Sequence, residues 1–261
     1  MPEIIVKKKI KRLFLTGKIE ELEDEVIHEY RLQIRIDDED FVEAVVSPSQ
    51  LEEFVLGFLL TRGLIDRMED ITSLEISKDM ASIWRDPRVK EKVPTATLLE
   101  STGSRNLVPG DHSGKIQGIF GSGLKVRLDD LIEGIRMLKK MPVFNRTGGT
   151  HCAILFSPSG EALFTAEDLG RHNAVDKVIG GGLINSIDFN RCWLAVSGRL
   201  PRDMVFKAVL AGIPLMASVS AVTSEGAVTG EKSGVTVVGF GREGRVNCYS
   251  HPDRIISRNT P

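Results

Sequence analysis

Glu167-Asp168-Leu169-Gly170-Arg171-His172-Asn173-Ala174-Val175-Asp176-Lys177 lies between a predicted strand, 161–165, and a predicted helix, 173–179. Seven of its eleven side chains are ionisable or carboxamide. On a helix at about 100° per residue, His172, Asn173, Asp176 and Lys177 fall within roughly 140° of one another. Ala174, Val175, Val178 and Ile179 take the opposite side. The apolar face turns inward, and the polar face meets solvent or lines a cleft. Gly170 allows close backbone approach, and the helix start offers free N–H groups to an anion.

Outward from this stretch, strands alternate with helices: strands at 151–156, 191–197, 214–220 and 235–240, helices at 203–211 and 225–232. That order predicts an α/β sheet with buried central strands and a site where strands end and helices begin. Three strand ends are polar and glycine-rich: 165–172, Ser197-Gly198-Arg199, and Phe240-Gly241-Arg242-Glu243-Gly244-Arg245. The last reads equally as a hairpin loop with solvated charges. Arg171, Arg199, Arg242 and Arg245 together suit a multiply phosphorylated ligand.

The first half reads differently. Alternation at 31–36 and 41–46, split by Asp37-Asp38-Glu39-Asp40, predicts an antiparallel hairpin. Ser47 as N-cap, Pro48 at the first turn and Gln50 closing a capping box predict a helix over 51–61 ending at Gly63. Strands are expected at 71–76 and 81–84, a long loop over 86–123, and a helix over 128–141 with acidic start and basic end. The division expected is a smaller α+β domain over 1–145 and an α/β domain over 146–261.

Bulk properties narrow the function. The chain has 261 residues, 41% hydrophobic and 27% charged, with net charge −2. That is an ordinary globular composition, and it argues for neither nucleic-acid nor membrane binding. No signal peptide or apolar run of transmembrane length is present. Cys152, Cys192 and Cys248 form no CxxC pair, which disfavours disulfides and cysteine-zinc sites and favours the cytoplasm.

Thr147-Gly148-Gly149-Thr150-His151 offers either a backbone nest for an anion or a tight turn. His151 and Cys152 are strand neighbours that point to opposite faces, so Cys152 reads as core. Glu167 and Asp168 are an acid–base pair or a helix cap with an acidic first turn. Asp176, one turn from His172, orients its ring or forms a surface pair with it. A zinc deaminase would carry a Pro-Cys-x-x-Cys pair, where Ser197-Gly198-Arg199 stands instead, so no metal ligands are assigned.

Several ordered stretches resemble the formate dehydrogenase accessory proteins, the FdhD/NarQ family. They are Ser47-Pro48 through Gly63-Leu64-Ile65, Thr147 to His151, Glu167 to Lys177, Ser197-Gly198-Arg199, Gly212-Ile213-Pro214 with Ser218 to Ala221, and Gly239-Phe240 with Tyr249-Ser250-His251-Pro252. The resemblance implies a cytidine-deaminase-like, three-layer C-terminal domain without zinc, and a cytoplasmic homodimer. It implies sulfur taken from a cysteine desulfurase and passed to the bis-guanine-dinucleotide molybdenum cofactor, which is installed in the catalytic subunit of formate dehydrogenase. GDP or GTP would occupy the same site in vitro. Phe240 to Arg245 match the family's cofactor-binding segment, with Thr147, Gly148, Gly149, His151, Arg171, His172, Asn173, Asp176, Lys177, Ser197, Gly198 and Arg199 completing the pocket. The family's Cys-Gly-x-Cys-Gly sulfur loop reads Gln117-Gly118-Ile119-Phe120-Gly121 here, so both thiols are replaced. Polar-flanked Cys248 is the substitute candidate. Two further readings stand beside sulfur transfer: a non-catalytic holder of the cofactor or a guanine nucleotide, and an independent hydrolase or deaminase on the same fold.

Overall fold

The structure is a computed structural model and describes residues 3–92, 113–242 and 244–257. Strands β1 (Ile5–Leu13) and β2 (Ile19–Ile27) pair antiparallel as a separate two-stranded ribbon. Next come β3 (Tyr30–Ile36) and β4 (Glu39–Val46), the hairpin expected from alternation. Asp37 and Asp38 both take positive φ, as the tight turn joining right-twisted strands requires. Helix α1 (Leu51–Leu60) precedes β5 (Ile71–Ser77) and β6 (Met80–Arg85), giving a four-stranded sheet ordered β4-β3-β6-β5. α2 (Ser113–Phe120), β7 (Val126–Arg127), α3 (Leu128–Met137) and α4 (Pro142–Thr147) complete this half. The loop expected over 86–123 therefore holds a helix at its end, and its stretch 93–112 lies outside the described residues. The helix expected over 128–141 ends at Met137, and Pro142 starts a new one.

The second half runs β8 (His151–Phe156), β9 (Ala162–Asp168), α5 (Arg171–Ile184), β10 (Trp193–Val196), α6 (Arg202–Ala211), β11 (Leu215–Ser218), α7 (Ser224–Ser233), β12 (Thr236–Arg242), β13 (Arg245–Ser250) and β14 (Ile255–Ile256). Six strands form one sheet in the order β13-β12-β11-β10-β8-β9, with β10, β11 and β12 parallel. Alternate residues feed two cores, as buried strands must. Leu155, Leu194, Val196, Met216 and Val237 meet α5 and α6 on one face. Ile154, Trp193, Ala195, Leu215 and Val238 meet Leu131 and Ile135 of α3 on the other.

Helix α1 is apolar almost all round because it is covered on two sides. One side packs on the four-stranded sheet through Leu32, Ile34 and Val46, and the other on α5. The helices cross backbone to backbone. A Cβ at Gly57 would lie 1.8 Å from the carbonyl oxygen of Asp176, and one at Gly180 the same distance from that of Glu53. A continuous apolar core thus runs from the four-stranded sheet through α1 to α5. α3, from the first half of the chain, sits against the six-stranded sheet. No helix among the described residues is long and apolar enough to cross a membrane.

Ser47 is not the cap of α1. The N-cap is Gln50, in the left-handed region and without a side-chain cap bond. The Ser47 N–H donates to Asp168 at 2.9 Å, and its hydroxyl accepts from the Leu169 N–H. Its role is to tie the two halves together beside the polar stretch.

Candidate functional site

Strand β8 runs antiparallel to both β10 and β9. Its first residue therefore lies at the same sheet end as the last residues of β9, β10, β11 and β12. That end gathers the motifs 147–151, 167–172, 197–199 and 240–242, which are far apart in the chain. A cavity of about 450 Å³ opens there, lined by Leu138, Lys139, Phe144, Gly148, Gly149, Thr150, His151, Cys152, Leu169, Ser197 and Val219. Lys139, Phe144, Leu169 and Val219 carried no site signal in the sequence, because their positions follow only from strand order.

Three polar arrangements mark this end. His151 Nδ1 lies 3.1 Å from Ser197 Oγ, which also accepts the Cys152 N–H at 2.9 Å. Burial, then Arg171 and His172, hold the His151 imidazole below its ordinary range, so it is neutral near pH 7. His172 Nε2 lies 2.8 Å from Asp203 Oδ2. Burial lowers His172 despite that carboxylate. Burial pushes Asp203 up, but hydrogen bonds from His172 and from backbone N–H groups bring it below its usual value. The third arrangement is Arg171 on Gly198: a Cβ at Gly198 would come within 2.9 Å of the Arg171 side chain. Arg171 Nε is buried without a hydrogen-bond partner among the described residues. Gly170, the N-cap of α5, has no side chain to occupy the helix start.

Several expected site residues serve the fold instead. Asp168 ends β9 and accepts from the Ser47 and Gly170 N–H groups and from Asn173 Nδ2, while Lys177 pairs with it at 2.7 Å. Asn173 also donates to the Val45 carbonyl. Glu167 accepts from the N–H groups of Val143 and Phe144, which caps α4, and from Thr150 Oγ1. Glu167 and Asp168 are therefore not an acid–base pair. Asp176 does not orient His172: it accepts from Thr61 Oγ1 at 2.6 Å, pairs with Lys207, and faces Arg62 at 3.5 Å. Asp176, between helices, and Lys177, against the end of β9, are fully buried and do not line a cleft. A helical wheel missed this because α1 covers the face it calls polar.

The glycine turn before β8 is a helix terminus, not a nest. Gly148 is the left-handed C-cap of α4 and donates to the Phe144 carbonyl, and the Gly149 N–H donates to Thr147 Oγ1. Phe240 to Arg242 are the last residues of β12, which pairs antiparallel with β13, with Arg242 opposite Arg245 and both exposed. Phe240 takes positive φ, and Gly241 packs on Ile135. Arg199 is exposed just past the end of β10, two strands from β12. Glu243 lies outside the described residues.

Gln117 and Phe120 sit on α2, at the opposite end of the sheet. Asn190, just before β10, donates to the Gly118 carbonyl, and Lys115 donates to the Leu210 carbonyl at the end of α6. Arg254 donates to the Ile119 carbonyl at 2.6 Å. The Phe120 ring packs on Gly234, and its centroid lies 5.4 Å from that of His251. Cys152 and Cys192 are buried and Cys248 is exposed. Burial and Glu167 push Cys152 up to about 12, burial and Asp188 push Cys192 up to about 11, and burial raises Cys248. Among the described residues no cluster of His, Cys, Asp and Glu has metal-holding geometry.

The FdhD/NarQ family matches residues 27–256 of this chain. The chain is 38% identical over 241 residues to the "Sulfur carrier protein FdhD" of Methanothermobacter thermautotrophicus, covering 89% of this chain and 92% of that one. It is 34% identical over 243 residues to the protein of the same name from Wolinella succinogenes, covering 91% and 85%. A crystal structure from Desulfotalea psychrophila, described as a formate dehydrogenase accessory protein, superposes with a TM-score of 0.79 at 26% identity, covering 97% of this chain and all of that one.

Proposed function

This chain belongs to the FdhD/NarQ family, and on that premise we propose that it assists formate dehydrogenase maturation by holding a guanylated molybdenum cofactor at the polar sheet end. The names of its relatives support the general role. The single observation that carries the ligand class is Arg171, a guanidinium seated on Gly198 with a buried, unpartnered N–H beside the open start of α5. An unsatisfied buried donor costs about 1–3 kcal/mol, and a phosphate oxygen would satisfy it. Exposed Arg199, Arg242 and Arg245 add charge for a ligand with two pyrophosphates. The cavity at the same sheet end offers neutral His151, Ser197 and the apolar Phe144, Leu169 and Val219 to a heterocycle. Asn173, Asp176 and Lys177 act behind this wall by fixing α5, and His172 is held by Asp203. The bound cofactor brings its own metal chemistry; these residues bind and shield it.

A second reading rests on α2. Neither Gln117 nor Phe120 can hold a persulfide, and their helix is pinned at the far sheet end. That favours a non-catalytic chaperone of the cofactor, with GDP or GTP as simple ligands in vitro. The client is the catalytic subunit of formate dehydrogenase. A cysteine desulfurase is a partner only if one of the remaining cysteines accepts sulfur. The β8–β12 arrangement, with Ser197-Gly198-Arg199 at the turn after β10, is read as a cytidine-deaminase-like fold without zinc, acting as a cytoplasmic homodimer.

Calorimetric titration with GDP tests the pocket. Saturable binding that Arg171→Ala weakens at least tenfold is the expected result. Absence of binding by the parent, or equal binding by Arg171→Ala and Arg245→Ala variants, overturns the assignment.

A further inference from the structure

We infer that His151 and His172 form a donor–acceptor pair that reads a carbonyl and the N–H beside it on the bound heterocycle, with Ser197 and Asp203 as the positioning residues that set each ring. The inference rests on the guanine-ligand reading above and deepens it.

The two imidazoles share one side of the sheet. Side chains alternate along a strand, and Ala153 and Leu155 of β8 face α5 and α6. His151 has their parity, and His172 lies in the first turn of α5. A positive charge on His172 would lower His151, so the rings are close enough to feel each other. Each ring is tied through one nitrogen, His151 by Nδ1 to Ser197 Oγ and His172 by Nε2 to Asp203 Oδ2. The other two, His151 Nε2 and His172 Nδ1, have no hydrogen-bond partner among the described residues. Neither is sealed in: the fully buried side-chain atoms without a partner there are Arg35 Nε, Arg171 Nε, Asp176 Oδ2 and Arg254 Nε.

The anchors decide what each free nitrogen offers. Asp203 is an ionised carboxylate near pH 7 and only accepts. His172 Nε2 therefore carries the proton, and its Nδ1 is a bare acceptor. Ser197 Oγ already accepts the Cys152 N–H at 2.9 Å. Its own proton finds one acceptor among the described residues, His151 Nδ1 at 3.1 Å. A proton on that nitrogen would leave the hydroxyl without an acceptor, so the His151 proton sits on Nε2. Both rings are neutral near pH 7, because burial lowers each. They share a tautomer but are anchored through opposite nitrogens. One donor and one acceptor are left free.

That pattern fits the lactam edge of a purine, where the carbonyl oxygen on C6 accepts and the ring N–H beside it donates. Guanine and hypoxanthine carry this edge. Adenine carries its inverse, an amine on C6 beside a bare ring nitrogen. It sets donor against donor and acceptor against acceptor, and a site built to hydrogen-bond a ligand rejects one that leaves its groups unpaired.

Calorimetric titration of the full chain with GDP, inosine diphosphate and adenosine diphosphate tests the pair, together with nitrogen-15 NMR of labelled histidine. GDP and inosine diphosphate are expected to bind alike, and adenosine diphosphate at least about tenfold more weakly. Both imidazoles of the parent should carry their proton on Nε2. Asp203 also accepts from the N–H groups of Met204 and of its own residue. In Asp203→Asn the amide oxygen stays with those groups and the amide N–H turns to His172, which moves the ring proton to Nδ1. GDP binding should then weaken and its margin over adenosine diphosphate narrow, a change in selectivity that loss of packing alone does not produce. Ser197→Ala, which frees His151, should narrow the same margin and keeps the test sharp should the first variant disturb α6. Failure of the parent to bind GDP overturns the ligand reading itself. GDP binding with adenosine diphosphate equally tight, with inosine diphosphate as weak as adenosine diphosphate, or with the His151 proton on Nδ1 overturns the donor–acceptor pair alone.

Discussion

Lys177 Nζ lies 2.7 Å from Asp168 Oδ2, and neither side chain meets solvent. The pair joins the last residue of β9 to the second turn of α5. Lys177 also donates to the Ser47 carbonyl, and Asp168 accepts the Ser47 N–H, so both partners clamp the strand leading into α1. The most polar stretch of the chain thus positions Arg171 and His172 by burying its own charges.

Lys177→Met should destabilise the fold by ~3–5 kcal/mol, because it leaves a buried carboxylate without its counter-charge. Urea unfolding measures this as a lowered midpoint with unchanged slope. A loss below about 1 kcal/mol would mean that the N–H donors around Asp168 suffice to hold its charge.

Lys207 gives a pH dependence with a definite sign. Burial lowers it to about 8, against the opposing pull of Asp176. Between pH 8 and the ordinary lysine value the unfolded chain holds a proton that the folded chain has released. Stability attributable to this group therefore rises with pH across that window, by up to ~3 kcal/mol, and is lost as pH falls through 8. The difference in unfolding free energy between parent and Lys207→Met, measured from pH 7.5 to 10.5, should climb. A flat difference contradicts the lowered value.

Gly57→Ala should be among the most damaging single-methyl changes. The added Cβ would sit 1.8 Å from the Asp176 carbonyl oxygen, so α1 and α5 must separate. Overpacking of this kind costs ~1–3 kcal/mol or more. Thermal unfolding should show the loss, whereas Gly118→Ala, with open space around it, should change little.

The alternating order of strands and helices in the second half, and the 31–46 hairpin, were legible because hydrophobic period and turn residues agree there. The meeting of three strand-end motifs at one sheet end was legible too, since strand ends next to helix starts share an edge. Roles within Glu167–Lys177 were not. A helical wheel sees one helix, and α1, which arrives from over a hundred residues away, decides that Asp176 and Lys177 are interior. Asp203 stood in plain view, but helix spacing made Asp176 the nearer partner for His172. The β1–β2 ribbon gave no core signal because its faces mix lysine and glutamate with single aliphatic residues.

His151 and His172 should both titrate below the ordinary histidine range, since burial lowers each. Protonation disfavours the folded form, so stability falls as pH drops below about 6.5. Nitrogen-15 NMR of the two imidazoles checks this. In Ser197→Ala the hydroxyl beside His151 Nδ1 is gone, and the His151 shift should move while that of His172 stays. Coincident shifts for His151 in parent and variant would remove Ser197 as its partner.

Sulfur carriage is decided at α2. A persulfide forms by attack of a thiolate, and the low-pKa environment that creates one is missing around Cys152, Cys192 and Cys248, which are all raised. Incubated with a cysteine desulfurase and cysteine, the parent should gain no sulfur atom by intact mass. Gln117→Cys/Phe120→Cys places thiols at exposed positions on a helix held by Arg254, Lys115 and Asn190. Phe120 gives up only its packing on Gly234 and His251. That variant should take up sulfur under the same conditions and still bind GDP as the parent does, because the two ends of the sheet are separate. Sulfur on Cys248 of the parent would instead make this chain a carrier by another route.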